Sequence, residues 1–399
     1  MKRFSAFLLA GAMLFCGALS GCTAPASSAT ALAVDLGRTG TEFAVRLLQT
    51  GDEPGENVLF SPVCLLYALS MTANGADGDT LDQMEDALNS SVSYLNNDLQ
   101  TCRAALPQAG DCRLHLANSL WLADDDRLAV KPEFLEVCKT KYGAEVQAIP
   151  FDDSAPGKVN RWVEENTDGM IPEILDEISD TAVMYLLSAM AFDAEWQEKY
   201  IGTQPGVFTA ETGEAREVEM MYAQEELYLE DDGATGFLKP YADPRYAFAV
   251  LLPNEGAELD EYIASLDGGA LYDLLNSPQE VPVQTAMPTF ETAYSAELND
   301  VLAEMGMPDA FDPLRADFSR MGSTETGLLY ISRVLHETFL SVTPRGTRAG
   351  AASLLEMECG GIPPAPTKQV ILDRPFVYMV LDREAGIPLF LGVLRDTQS

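Results

Sequence analysis

The stretch from Thr343 to Lys368, TPRGTRAGAASLLEMECGGIPPAPTK, constrains this chain more than any other. It has little charge, no helix caps and many small residues, and it separates two β-like runs, 328–342 and 375–394. A connection this long without its own structure is unusual in a compact domain unless it is functional or a linker. Its first half does not read as a linker. Thr347, Ala349, Ala351, Ser353, Leu355 and Met357 form one alternating set, small or apolar throughout, whereas Arg348, Gly350, Ala352, Leu354, Glu356 and Glu358 carry the charge. That period of two belongs to a half-buried strand, so the loop is written as a strand able to enter a sheet.

Residues 1–21 stand apart from the fold. Lys2 and Arg3 precede the apolar run Phe4–Leu19, which is short for a membrane span and has signal-peptide flanks. Leu19-Ser20-Gly21-Cys22 resembles the lipobox of bacterial lipoproteins, which implies lipid on Cys22 and a membrane-anchored, extracytoplasmic protein on the bacterial surface. Residues 22–36 then read as a flexible tether and 37–399 as a single domain, with no internal repeat or linker.

Sixty-two Asp and Glu against 25 Lys and Arg give a net charge of −37. Such a surface argues against nucleic acid, which is held by basic patches, and against heparin-like polyanions. Beyond the leader and Cys22, five cysteines remain: Cys64, Cys102, Cys112, Cys138 and Cys359. Their spacing fits no zinc pattern and implies no metal; Cys102 and Cys112 can pair, and Cys359 reads as a free thiol in the loop. The only histidines are His115 and His336, each read as a hydrogen-bonded core residue; with no GxSxG or HExxH motif and no phosphate loop, neither a catalytic residue nor a cofactor is expected.

Periodicity predicts helices over Asp35–Leu48, Pro62–Gly75 after a Ser61 cap, a segment capped by Asp79 or Thr80, Pro132–Tyr142, Lys158–Thr167, Ala257–Leu266 and Ala296–Met305. Strands are predicted at 57–60, Leu114–Leu122, Ala182–Phe192, Glu217–Met221, Leu227–Leu229, Thr235–Pro240, Tyr246–Leu252, Val281–Phe290 and on both sides of Arg383–Gly386. Helices mainly first and strands mainly later indicate α+β.

An ordered set of short motifs then resembles the serpin family over nearly the whole chain from residue 37. These include Asn57–Pro62, Asn118-Ser119-Leu120-Trp121, Asn160-Arg161-Trp162-Val163 with Thr167–Ile171, Ala191–Trp196, Met287-Pro288-Thr289-Phe290, Arg374-Pro375-Phe376 and Pro388–Gly392. The resemblance implies the serpin fold: three β-sheets with a central mixed sheet, eight to nine helices and an exposed reactive-centre loop. It implies a monomeric suicide-substrate inhibitor that forms a covalent acyl-enzyme with its target serine protease, after which the cleaved loop inserts into the central sheet. Gly346, Thr347, Arg348, Ala349, Gly350, Ala351, Ala352 and Ser353 match the family's hinge, and Gly360–Gly361 its scissile bond, with Met357–Glu358 and Cys359–Gly360 as other cleavage points. Glycine before the bond suits a shallow pocket, elastase-like or subtilisin-like. Ser61, Cys64, Ser188, Trp196 and His336 match the region where the sheet opens, with Ser61–His336–Ser188 as the expected network and hydrophobic packing of Cys64 as the simpler reading. Pro344 and Arg345 replace an acidic pair, and Pro344 removes an N–H near a strand end. The resemblance also admits a non-inhibitory member that binds a ligand or partner, and an inhibitor of papain-like cysteine proteases.

Overall fold

The computed structural model describes residues 28–398 except 107–111, 180, 326, 328 and 348–367, with side chains from residue 36 onward. Cys22, Arg348, Ala349, Gly350, Ala351, Ala352, Ser353, Cys359, Gly360 and Gly361 lie outside the described residues. The first half of the chain runs α1 (Ser28–Gly51), β1 (Val58–Phe60), α2 (Pro62–Ala73), α3 (Gly78–Ala87), α4 (Val92–Ala105), β2 (Cys112–Ala123), β3 (Leu128–Val130), α5 (Pro132–Tyr142), β4 (Glu145–Ile149) and α6 (Ala155–Asn166). Strands then dominate: β5 (Met184–Glu195), β6 (Thr203–Thr209), β7 (Ala215–Glu230), β8 (Ala234–Pro240) and β9 (Tyr246–Pro253). After α7 (Leu259–Ser265) and α8 (Gly268–Asn276) come β10 (Gln279–Pro288), β11 (Phe290–Glu297), α9 (Asn299–Glu304) and β12 (Gly322–Thr324). The chain closes with β13 (Leu335–Thr343), β14 (Gly346–Thr347), β15 (Lys368–Ile371), β16 (Phe376–Asp382) and β17 (Ile387–Leu394).

Among the described residues the strands form three sheets. One has six strands in the order β11-β13-β14-β5-β2-β4, mixed because β2 and β4 run parallel. One has nine, running from β1 to β15 with β6 on β7, and a two-stranded ribbon joins β3 and β12. With nine α-helices among the described residues, this is the α+β architecture expected. β5 is apolar on both faces because both are covered: Met190, Phe192 and Ala194 enter the main core, on which α2 packs, while Tyr185, Leu187 and Ala189 join Val159, Trp162 and Val163 of α6.

Several boundaries differ from the expectation. α1 begins at Ser28, within the span read as a tether, in an Ala- and Leu-rich segment of high helix propensity. Asp77, not Asp79 or Thr80, caps α3, because Gly78 takes φ +53° and Asp77 accepts its N–H at 2.9 Å. Ser61 stands at the cap position of α2, but its hydroxyl donates to the Leu389 carbonyl at 2.9 Å instead. The strands read at 217–221 and 227–229 are one long β7, whose acid-rich middle alternates the buried Glu225 with the exposed Gln224 and Glu226. The strand read as Val281–Phe290 divides at Thr289, where the chain crosses from the nine-stranded to the six-stranded sheet, so Ala296 and Glu297 belong to β11 and α9 starts only at Asn299. His115 is not a core residue: it is 45 % exposed on β2, beside Asp168 at 3.5 Å. Cys102 and Cys112 are both free and buried, as are Cys64 and Cys138.

Candidate functional site: the hinge and the gap below it

The β-like run at 328–342 forms a strand only from Leu335, and it ends in a hairpin the sequence did not disclose. β13 and β14 are joined by Pro344-Arg345, with Thr343 opposite Gly346 and Val342 opposite Thr347. Pro344 thus occupies a turn position for which its fixed φ is suited and no ladder N–H is required. The turn is pinned on both sides: the Pro344 carbonyl accepts from Tyr200 N at 3.0 Å and the Arg345 carbonyl from Trp196 N at 2.8 Å. Thr343 Oγ1 donates to the Gly346 carbonyl at 2.9 Å. Arg345 reaches Glu195 at 3.2 Å, an exposed pair of little energetic weight. Gly346 is required by contact, since a Cβ there would lie 2.0 Å from the Ala194 carbonyl oxygen.

β14 is thereby the beginning of a strand between β13 and β5, with Gly346 opposite Glu195 and Thr347 opposite Ala194. Thr347 is 1 % exposed and its hydroxyl meets the Tyr241 hydroxyl at 2.6 Å. Beneath it, Trp196 stacks on Tyr241 with centroids 4.6 Å apart and donates Nε1 to the Thr343 carbonyl at 2.8 Å. Lys239 Nζ lies 4.3 Å from the Tyr200 centroid and 5.6 Å from that of Trp196, and it pairs with Glu225 at 2.6 Å; both charges are buried. Burial pushes the Glu225 carboxyl above its usual range, partly offset by Lys239. Trp196 was legible from its motif. Tyr241, Lys239, Glu225 and Tyr200 were not: nothing local in the sequence links Tyr241 to a threonine far along the chain.

Beyond Thr347 no strand among the described residues joins the facing edges of β5 and β13. The lower part of this gap opens into a cavity of about 540 Å³, lined by Cys64, Leu65 and Leu69 of α2, Met184, Leu186 and Ser188 of β5, and residues 329–336.

Ser61, Cys64, Ser188 and His336 do converge at this gap, but not in the expected network. His336 Nε2 accepts from the Ser61 backbone N–H at 3.0 Å, so the ring proton sits on Nδ1. The Ser188 hydroxyl oxygen is buried without a hydrogen-bond partner among the described residues and does not join His336. Burial pushes the Cys64 thiol up to about 11 and outweighs the neighbouring Ser61 and Ser188 hydroxyls, which favour its thiolate. The thiol is therefore packed, not reactive.

Burial lowers the His336 pKa from its ordinary 6.5 to about 4, because the imidazolium would lose its hydration and Nε2 could no longer accept from Ser61. The folded pKa is depressed, so the stability that neutral His336 contributes is complete above pH 6.5. It is lost as pH falls from 6.5 to about 4, a swing of about 3 kcal/mol by linkage. Urea midpoints of the wild type and His336→Gln, measured from pH 7.5 to 4, should converge through this window. Parallel profiles would contradict the assignment.

Residues 38–397 match the family model described as serpin (serine protease inhibitor). The chain belongs to the serpin family. It is 38 % identical to the thermophilic serpin tengpin in its native-state crystal structure, with a TM-score of 0.85 over 91 % of this chain and 94 % of that one. It is 30 % identical to a serpin-like protein of Thermococcus kodakarensis, over 85 % of this chain and 80 % of the relative. It is 29 % identical to the leukocyte elastase inhibitor of Bos taurus, over 90 % of this chain and 99 % of that protein.

Proposed function

We propose that this protein inhibits serine proteases as a suicide substrate, with Gly360–Gly361 as the bait for elastase-like or subtilisin-like enzymes. The observation that carries this reading is β14: Gly346 and Thr347 already lie in register between β13 and β5, above a gap in which no strand is paired among the described residues. Cleavage frees the segment that follows to continue the strand. Extending the register puts Ala349 opposite Phe192 and Leu340, Ala351 opposite Met190 and Thr338, and Ser353 opposite Ser188 and His336, all on the core side with Thr347. Arg348 falls opposite Asp193, Ala352 opposite Ala189 and Glu356 opposite Arg333 on the other face. The inward set is the small and apolar one that insertion demands, since a charge there would lose its hydration. The facing edges of β5 and β13, which pair with no strand beyond Thr347 among the described residues, gain hydrogen bonds, and this gain drives the acylated protease across the sheet.

Pro344 lies in the turn between β13 and β14, where no ladder N–H is required, which supports insertion of the strand that follows. Lipid on Cys22 tethers the monomer to the outside of a bacterial cell, where extracellular proteases are met. Incubation with elastase-like and subtilisin-like proteases should yield an SDS-stable complex near one-to-one stoichiometry, with the released peptide starting at Gly361 by mass spectrometry. Turnover of the loop without complex formation would sink the proposal, and a complex only with papain-like enzymes would redirect it to cysteine proteases.

A further inference from the structure

A second cavity, of about 580 Å³, lies on the far side of β2 from the gap, between the end of α4, the end of α5, β2 and α6. Its volume is that of a small-molecule site. α5 stops at Gly143, which takes the left-handed φ of +64°. The absence of a side chain there admits the Arg103 guanidinium, whose Nη1 would lie 2.5 Å from any Cβ at that position. Asn118, 3 % exposed on β2, grips the same turn from the other side by donating Nδ2 to the Tyr142 carbonyl at 2.9 Å. Two polar atoms around this dipeptide are buried and lack hydrogen-bond partners among the described residues: Arg103 Nε, a donor, and Asn118 Oδ1, an acceptor. Both residues line the cavity. Arg103 makes no ion pair among the described residues, although the chain carries a large excess of acids. The nearby Glu145 accepts from Trp162 Nε1 at 2.9 Å, and the more exposed Arg113 is held by Asp168 at 3.1 Å.

We propose that this cavity binds a small organic anion that carries a hydroxyl beside its carboxylate or phosphate. The anion accepts from Arg103, whose planar fork suits both groups, and the hydroxyl donates to Asn118 Oδ1. Leu106, Leu116 and the Trp162 ring cover the carbon skeleton. A long polyanion is disfavoured by the −37 net charge, whereas a small ligand can seat its anionic group on the ion-pair-free Arg103, away from Glu145, whose carboxylate accepts from Trp162 Nε1, and from Arg113, which Asp168 and Asp193 hold.

Calorimetric titration of the full chain tests this without any protease, so its result is independent of loop insertion. The probes are malate against succinate, which lacks the hydroxyl, and glycerol 3-phosphate against propyl phosphate. At least one hydroxy-anion should bind at least tenfold more tightly than its hydroxyl-free counterpart, and the pair that discriminates identifies carboxylate or phosphate. Arg103→Gln should weaken that binding at least tenfold with an unchanged circular dichroism spectrum. Should the variant fail to fold, the paired comparison on the wild type still decides. Equal affinities within both pairs, no binding of any probe (the outcome if water alone fills the cavity), or unaltered binding by a folded Arg103→Gln would overturn the proposal.

Discussion

On the proposed mechanism, Thr347→Arg should turn trapping of the protease into ordinary cleavage of the loop. Thr347 is already enclosed between Val342 and Ala194, with its hydroxyl on Tyr241 at 2.6 Å. A guanidinium at that position faces the buried rings of Tyr241, Trp196 and Phe192, and the Glu225 carboxylate of that core is taken by Lys239. Burying an uncompensated charge costs several kcal/mol, so β14 would leave the sheet and the strand would lack its first inward residue. Trapping on that mechanism depends on insertion outpacing hydrolysis of the acyl-enzyme. Each increase of about 1.4 kcal/mol in the insertion barrier lowers its rate about tenfold. The variant should be cleaved at the wild-type rate, since the bond lies far along the loop, but yield little or no SDS-stable complex. Thr347→Ser, which keeps the hydroxyl on Tyr241, should trap protease almost as the wild type does. Wild-type stoichiometry in Thr347→Arg would show the register to be wrong.

Trp196→Ala should be the most destabilising single change near the hinge. The indole is 1 % exposed, stacks on Tyr241, meets Tyr200 and Phe248 edge-on and supports the Lys239 ammonium. Truncating a buried aromatic costs about 3–5 kcal/mol through lost burial and the cavity left behind. Here the Thr343 carbonyl also loses its donor, which loosens the Pro344-Arg345 turn from below. Trp196→Phe keeps most of the packing and should lose only the smaller contribution of the hydrogen bond, about 1 kcal/mol. Urea midpoints followed by far-ultraviolet circular dichroism separate the three proteins. A loss in Trp196→Ala no larger than in Trp196→Phe would mean that the ring does not support the hinge.

The sequence was most readable where local pattern and tertiary role coincide. Pro132–Tyr142 was placed at both ends, because a proline start and a glycine stop are chemical signals within the segment itself. β5 read as a central strand because it is apolar on both faces. The alternation that begins at Thr347 agrees with the burial of that residue. Legibility failed where distant residues decide. The division of β10 from β11 at Thr289 depends on a change of sheet, for which no local signal exists. The exposed position of His115 depends on which face of β2 the helices cover. Pro344 looked like an obstacle in a strand because the hairpin that uses it is closed by Trp196 and Tyr200, far earlier in the chain. Ser188 fell in the right place but without the expected bond to His336, since hydrogen-bond geometry across a gap is not encoded in residue identity.

Loop insertion is tested most directly by hydrogen exchange on the two edges that frame the gap. Amides of Met184–Asp193 and Leu335–Ser341 should be compared before and after the loop is cut by a non-target protease. With insertion, exchange of the alternate amides that face the gap slows by orders of magnitude as ladder hydrogen bonds form from Arg348 onward, while those already paired with β2 and β11 change little, and the order of protection follows the register that Thr347 sets between Val342 and Ala194. Unchanged exchange on both edges after complete cleavage would contradict it.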